Sequence, residues 1–315
     1  MPVMTPTQLS GVFAPLPTPF DADDRLDVDL LKRAFERFVA GPLTGFVVLG
    51  SNGEAALMDD EESDRAIAAA RETIPRGRPF IVGTGRESTA ATIVATRRAA
   101  NLGADAVLVR TPGFFKSQMT ADVFVRHYTA VADASPVPVL LYNFTAVTGV
   151  NLPVSAVVRL STHPNIVGMK ESGGDVAQLA DLVASTPPSF QLLAGSASTM
   201  YAAMCVGVGG AILALAAVVP EACMRLFTLT QQGQHGEARA RQQQLVPLSR
   251  LLSSHGVAGL KAALRITGID AGVPRRPLAP ASDDITVQLK QAIEDLYSAR
   301  SATVGPKLHA RRAGT

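Results

Sequence analysis

Residues 80–109 read FIVGTGRESTAATIVATRRAANLGADAVLV, and the fold is decided there. Phe80-Ile-Val is a short apolar run without polar alternation, Thr89 to Leu102 has helical spacing, and Ala106-Val-Leu-Val is a second apolar run. Continuous hydrophobicity marks a strand covered on both faces, as in parallel sheets whose strands are joined by crossover helices. Runs of the same kind recur at Val12 to Leu16, Gly45 to Leu49, Val137 to Tyr142, Ile166 to Met169, Gln191 to Ala194 and Ala211 to Ala214. Helical spacing also follows at Leu30 to Phe38, Asp64 to Thr73 and Ala121 to Ala132. Eight strand units in series predict an α/β protein with a closed (β/α)8 TIM barrel rather than an open sheet.

Beyond Val219 the strand pattern stops. Glu221 to Gly233, Gly236 to Ser254, Val257 to Thr267 and Asp283 to Ser298 read as helices, broken at glycines and at Pro274 to Pro280. The expected organisation is an N-terminal tail at 1–8, a catalytic barrel at 9–225, a C-terminal helical extension at 226–300 and a mobile tail at 301–315. Ala202 to Val219 is uncharged and long enough to approach a membrane span. Gly207, Gly209 and Gly210 interrupt it, so it is read as a helix ending near Cys205, a turn, and a buried strand from Ala211 to Leu215.

Composition excludes several classes. The chain has 315 residues, 47% of them hydrophobic and 18% charged, which is a globular rather than a disordered balance. Its net charge of +2 and lack of a basic run give no footprint for nucleic acid. Cys205 and Cys223 are read as buried thiols in a reducing compartment. The five histidines are scattered without ligand spacing, so neither a metal nor another cofactor is expected. The N-terminus has no basic region and its apolar stretch is cut by prolines, so the protein is expected to be cytoplasmic, with no membrane partner.

A barrel of this kind carries its chemistry at the C-terminal ends of its strands. Lys170 closes the apolar run Asn165 to Met169. An amine in such surroundings has its charged form disfavoured, which supplies the neutral nucleophile for a Schiff base with a carbonyl. A structural lysine paired with Glu171, or with a carboxylate across the barrel mouth, is the alternative. Tyr142 closes Val137 to Leu141 and is either a proton carrier or a cap on the core. Gly50-Ser-Asn-Gly-Glu54 is either an anion holder, with Ser51 and Asn52 as extra donors, or an ordinary glycine turn. Gly83 to Ser88 lacks the third glycine and the lysine of a phosphate loop and is read as a tight strand-to-helix turn.

Together these stretches resemble the pyruvate-dependent class I aldolase superfamily of dihydrodipicolinate synthase and N-acetylneuraminate lyase, over about residues 9 to 300. The resemblance rests on Thr18-Pro-Phe20, Gly50 to Glu54, Gly83-Thr-Gly85, Tyr142-Asn143 with Thr148-Gly149, Gly168 to Ser172, and Leu193 to Ser196, in family order. Asn151 to Val158, His163 to Asp175 and Gly256 to Lys261 look most like 4-hydroxy-2-oxoglutarate aldolase. The resemblance implies a metal-free, homo-oligomeric lyase, tetrameric by family habit, acting on a small 2-oxo acid. Lys170 would form the imine, Tyr142 and Ser51 would move protons, and Asn52 and Gly53 would hold the carboxylate. Ser172, Gly195 and Ile212 would line the acceptor side.

Two departures bear on specificity. The synthase uses an arginine shortly after its tyrosine, where this chain has Val147, so condensation with aspartate semialdehyde is disfavoured. Many relatives carry a relay tyrosine near Phe114 or Phe115, and phenylalanine passes no proton. Cleavage of 4-hydroxy-2-oxoglutarate to pyruvate and glyoxylate is the expected activity. The alternatives are a 2-keto-3-deoxy sugar acid aldolase or dehydratase, the synthase itself, and a 2-oxo-acid-binding protein without turnover.

Overall fold

A computed structural model describes residues 6–304. Eight parallel strands close into a barrel in chain order: β1 (Gly11–Pro15), β2 (Gly45–Val48), β3 (Phe80–Gly83), β4 (Ala106–Arg110), β5 (Val139–Asn143), β6 (Ile166–Glu171), β7 (Gln191–Ala194) and β8 (Gly210–Ile212). β8 pairs with β1 through Gly11–Gly210 and Phe13–Ile212, which leaves no free edge. Around it run α1 (Val28–Val39), α2 (Asp60–Thr73), α3 (Thr89–Asn101), α4 (Ala121–Ala134), α5 (Thr145–Thr148), α6 (Val154–Leu160), α7 (Val176–Ser185), α8 (Met200–Cys205) and α9 (Ala214–Val218). The extension is α10 (Pro220–Gln231), α11 (His235–Ile266) and α12 (Asp283–Val304). Of the expected tail at 301–315, the part from residue 305 onward lies outside the described residues, as do residues 1–5.

The helices start where side chains satisfy their first free amides. Asp27, Ser88, Thr120 and Asp175 each accept from the backbone N–H three positions on, and Asp59 with Glu62 closes a capping box at α2. The strands are buried on both faces, and the alternation of side chains divides the core in two. Phe13, Val47, Ile81, Leu108, Leu140 and Ile212 point into the barrel, with Leu9 from the N-terminal 3₁₀ turn among them. The larger core lies between sheet and helices.

Two expectations change. β8 ends at Ile212, and Ala214–Val218 is a helix, not a continuation of the strand to Leu215. Every residue from Leu215 to Val219 is buried, so the stretch shows no polar face from which its period can be read. Cys205 is exposed at the end of α8, and only Cys223 is a buried thiol, with burial pushing its pKa up to about 12. The break expected between Gly236 to Ser254 and Val257 to Thr267 is present: α11 consists of two helices that meet at a kink at Gly256, whose φ of 53° suits glycine. No helix of the described residues is long and apolar enough to cross a membrane.

Candidate active site

The upper layer of the barrel interior is set by register. Arg110, Tyr142 and Lys170 are paired across β4, β5 and β6, so the three side chains share the inward face. Asn143 and Glu171, one residue further, point outward and bond each other, Asn143 Nδ2 donating to Glu171 Oε2 at 2.7 Å. Gln178 Nε2 adds a second donor to that carboxylate from α7. Burial nevertheless pushes the Glu171 carboxyl above its ordinary range, against the hydrogen bonds it accepts from Asn143, Gly173 and Gln178. The network locks the ends of β5 and β6 from behind.

Lys170 is 5% exposed and takes part in no ion pair or hydrogen bond of the described residues. Its Nζ lies 4.4 Å from the centroid of the Tyr142 ring. The pairing with Glu171 considered from sequence does not form, because the two side chains leave opposite faces of β6. Tyr142 is 3% exposed, yet its hydroxyl sits 3.2 Å from Ser51 Oγ. Phe144 stacks on its ring at 6.0 Å. Amine, phenol and serine hydroxyl therefore follow one another around a single aromatic ring.

The turn carrying Ser51, Asn52 and Gly53 is a single 3₁₀ turn, with Leu49 (φ 54°) before it and Glu54 (φ 55°) after it. Non-glycine residues in this left-handed region cost of order 1–2 kcal/mol each, and such strain needs support from its surroundings. The left-handed positions of the segment are thus Leu49 and Glu54, not its glycines, so it is no ordinary glycine turn. Glu54 is held by Lys261 Nζ at 2.6 Å, with both side chains almost fully buried. Its Oε2 also accepts from the Arg275 amide at 2.7 Å. Lys261 in turn donates to the carbonyls of Thr18 and Val273, 2.7 Å each, and Thr18 Oγ1 donates to the Gly53 carbonyl. The C-terminal extension thus clamps the Ser51 turn. Burial pulls the Lys261 pKa below the usual lysine range, against the pull of Glu54. Replacing Lys261 with methionine would leave a buried carboxylate unpaired, and a loss of about 3–5 kcal/mol in denaturant unfolding is expected. A loss under about 1 kcal/mol would show that the clamp is dispensable.

A cavity of about 450 Å³ opens at this end of the barrel, with Ser51 and Tyr142 in its wall. Asn52, Gly53, Lys170, Ser172, Gly195 and Ile212 are not among the residues that line it. Ile212 is fully buried in the inner core. Ser172 Oγ is buried without a hydrogen-bond partner, and a Cβ on Gly195 would come within 1.9 Å of it, so glycine is required there. Sequence reading missed three charged members of the wall: Arg110, Glu87 and Lys116. Arg110 closes an apolar strand as Lys170 does, and that was the available signal. Val147 and Phe114, 61% and 76% exposed, form apolar parts of the same wall. No cluster of three or more His, Cys, Asp or Glu that could hold a metal ion occurs among the described residues.

The model of the dihydrodipicolinate synthetase family matches residues 8–296. A 4-hydroxy-tetrahydrodipicolinate synthase of Xanthomonas axonopodis pv. citri is 38% identical over 281 residues, covering 87% of this chain and 90% of that protein. A probable mitochondrial 4-hydroxy-2-oxoglutarate aldolase of Emericella nidulans is 34% identical over 290 residues, covering 90% and 94%. The structure of a chloride-inhibited dihydrodipicolinate synthase from Acinetobacter baumannii, complexed with pyruvate, superposes with a TM-score of 0.86 at 29% identity, covering 92% of this chain and 99% of that one.

Proposed function

Because the chain belongs to the dihydrodipicolinate synthetase family, whose class I lyases work through a lysine Schiff base, we propose that Lys170 is that lysine and that pyruvate is its partner. The observation that carries this reading is the grouping of an amine with no ion pair among the described residues, a phenol and a serine hydroxyl around the Tyr142 ring. The amine of Lys170 adds to C2 of the 2-oxo acid and water leaves, giving the imine. Loss of a C3 proton gives the enamine, whose C3 attacks the aldehyde carbon of an acceptor. The oxygen of that aldehyde takes its proton from Tyr142, which regains one through Ser51, and water releases the product from Lys170. Cleavage is the same path reversed: the substrate forms its imine with Lys170 as water leaves, and Tyr142 then removes the C4 hydroxyl proton as the C3–C4 bond breaks. Asn52 and the Ser51 turn hold the C1 carboxylate.

The acceptor divides the reading. The synthase names carried by several of the similar proteins favour condensation with aspartate semialdehyde, against the expectation drawn from Val147. Cleavage of 4-hydroxy-2-oxoglutarate is the second reading, supported by the fungal relative and by the absence of a charge at position 147. The two are separated by kcat/KM for each reaction on the same preparation. The first reading expects faster consumption of aspartate semialdehyde with pyruvate. Faster release of pyruvate from 4-hydroxy-2-oxoglutarate would transfer the site to the second. As in the family it resembles, the chain is proposed to act as a homo-oligomer.

A further inference from the structure

With Lys261 counted against Glu54, the cavity beside Tyr142 has one cation more than it has carboxylates. Four groups with a formal charge enter its wall: Glu54, Glu87, Arg110 and Lys116. Glu54 is neutralised by Lys261. Glu87 is already saturated by Arg110 Nη1 at 2.7 Å and by the amides of Gly113 and Phe114 at 3.0 and 2.9 Å.

We propose that Arg110 is a specificity-determining residue, receiving a carboxylate on the aldehyde fragment that joins or leaves pyruvate. The proposal rests on the Schiff-base reading above and deepens it. Three features place the guanidinium for this task. Arg110 ends β4 in register with Tyr142, so it stands on a rigid strand of the barrel and shares the cavity wall with that tyrosine. Its Nη1 is fixed by Glu87 and by the Thr111 carbonyl at 3.1 Å, while Nε and Nη2 hold no partner among the described residues. One edge of the fork is anchored, and the other is available for the two-point grip that arginine gives a carboxylate. Finally, any side chain at Gly85 would meet Arg110 Cγ at 2.7 Å, so the glycine of Gly83-Thr-Gly85 is what lets the arginine stem rise past β3. Lys116 adds a second, exposed cation at the outer rim, against Gly149. Arg110 thus supplies from β4 the charge that Val147 does not supply from α5.

The test compares Arg110→Met and Arg110→Lys with the parent protein. Two acceptors are condensed with pyruvate: glyoxylate, which carries a carboxylate, and glycolaldehyde, which matches its size without charge. Aspartate semialdehyde is added as a second charged acceptor. Arg110→Met is expected to lower the ratio of kcat/KM for charged over neutral acceptor about 30-fold, with the change in KM, and Arg110→Lys to lower it less. A purely structural role would slow both acceptors together and leave the ratio unmoved. Reduction of the variants with borohydride in the presence of pyruvate reports separately on the imine. An unchanged ratio in a variant that still forms the adduct overturns the role of Arg110 alone. Absence of the adduct in the parent protein overturns the Schiff-base reading, and the role of Arg110 with it.

Discussion

Lys170→Met is expected to abolish carbon–carbon bond chemistry, lowering kcat by about 10⁴-fold or more, the order seen when a covalent nucleophile is removed. The same substitution is expected to leave the melting temperature unchanged or raised. Lys170 is 5% exposed, with its Nζ over an aromatic face and no carboxylate paired with it among the described residues to offset the loss of water. A methionine of similar length keeps the packing and removes that desolvation cost. A structural lysine would behave in the opposite way, since breaking a buried pair costs several kcal/mol. Activity and thermal unfolding on one preparation therefore separate the two roles. Retention of even a tenth of the parent kcat would exclude Lys170 as the imine former.

Tyr142→Phe should be the second largest loss. The ring stays, so the stacking on Phe144 and the contact with the Lys170 ammonium stay with it. Only the hydroxyl 3.2 Å from Ser51 Oγ is removed. Positioned proton transfer contributes roughly 10²–10⁴-fold, and a fall in kcat of about 10²–10³-fold with little change in KM is expected. The variant should still be trapped by pyruvate and borohydride, though more slowly. Equal turnover in variant and parent would make Tyr142 a cap on the core. Failure of both to turn over while both form the imine would favour a binding protein.

Much of the barrel was legible because parallel strands covered on both faces leave uninterrupted apolar runs, and all eight were found within a few residues of their ends. The strand ends were less legible where they matter most. Asn143 and Glu171 extend β5 and β6 by one polar residue each, because the outward face at that level meets a hydrogen-bond network rather than apolar helices. β8 was misjudged because Ala214 to Val218 is as apolar as the strand before it.

The site shows the same division. Lys170, Tyr142 and Ser51 announced themselves by closing or following apolar runs, and the barrel brings them around one ring. Arg110 satisfies the same criterion as Lys170, since it closes the apolar run Ala106 to Val109, yet it was not among the expected site residues. The Glu54–Lys261 clamp was beyond local reading: its partners lie far apart in the chain, and only closure of the barrel under α11 brings them together. Neither residue's local sequence distinguishes it from a surface charge.

The central claim is that Lys170 carries the substrate covalently, and peptide mass spectrometry after incubation with pyruvate and borohydride tests it most directly. The account predicts one reduced pyruvyl adduct, mapped to the peptide containing Lys170 and absent from Lys170→Met. A folded protein that gains no mass, or gains it at another lysine, would contradict it.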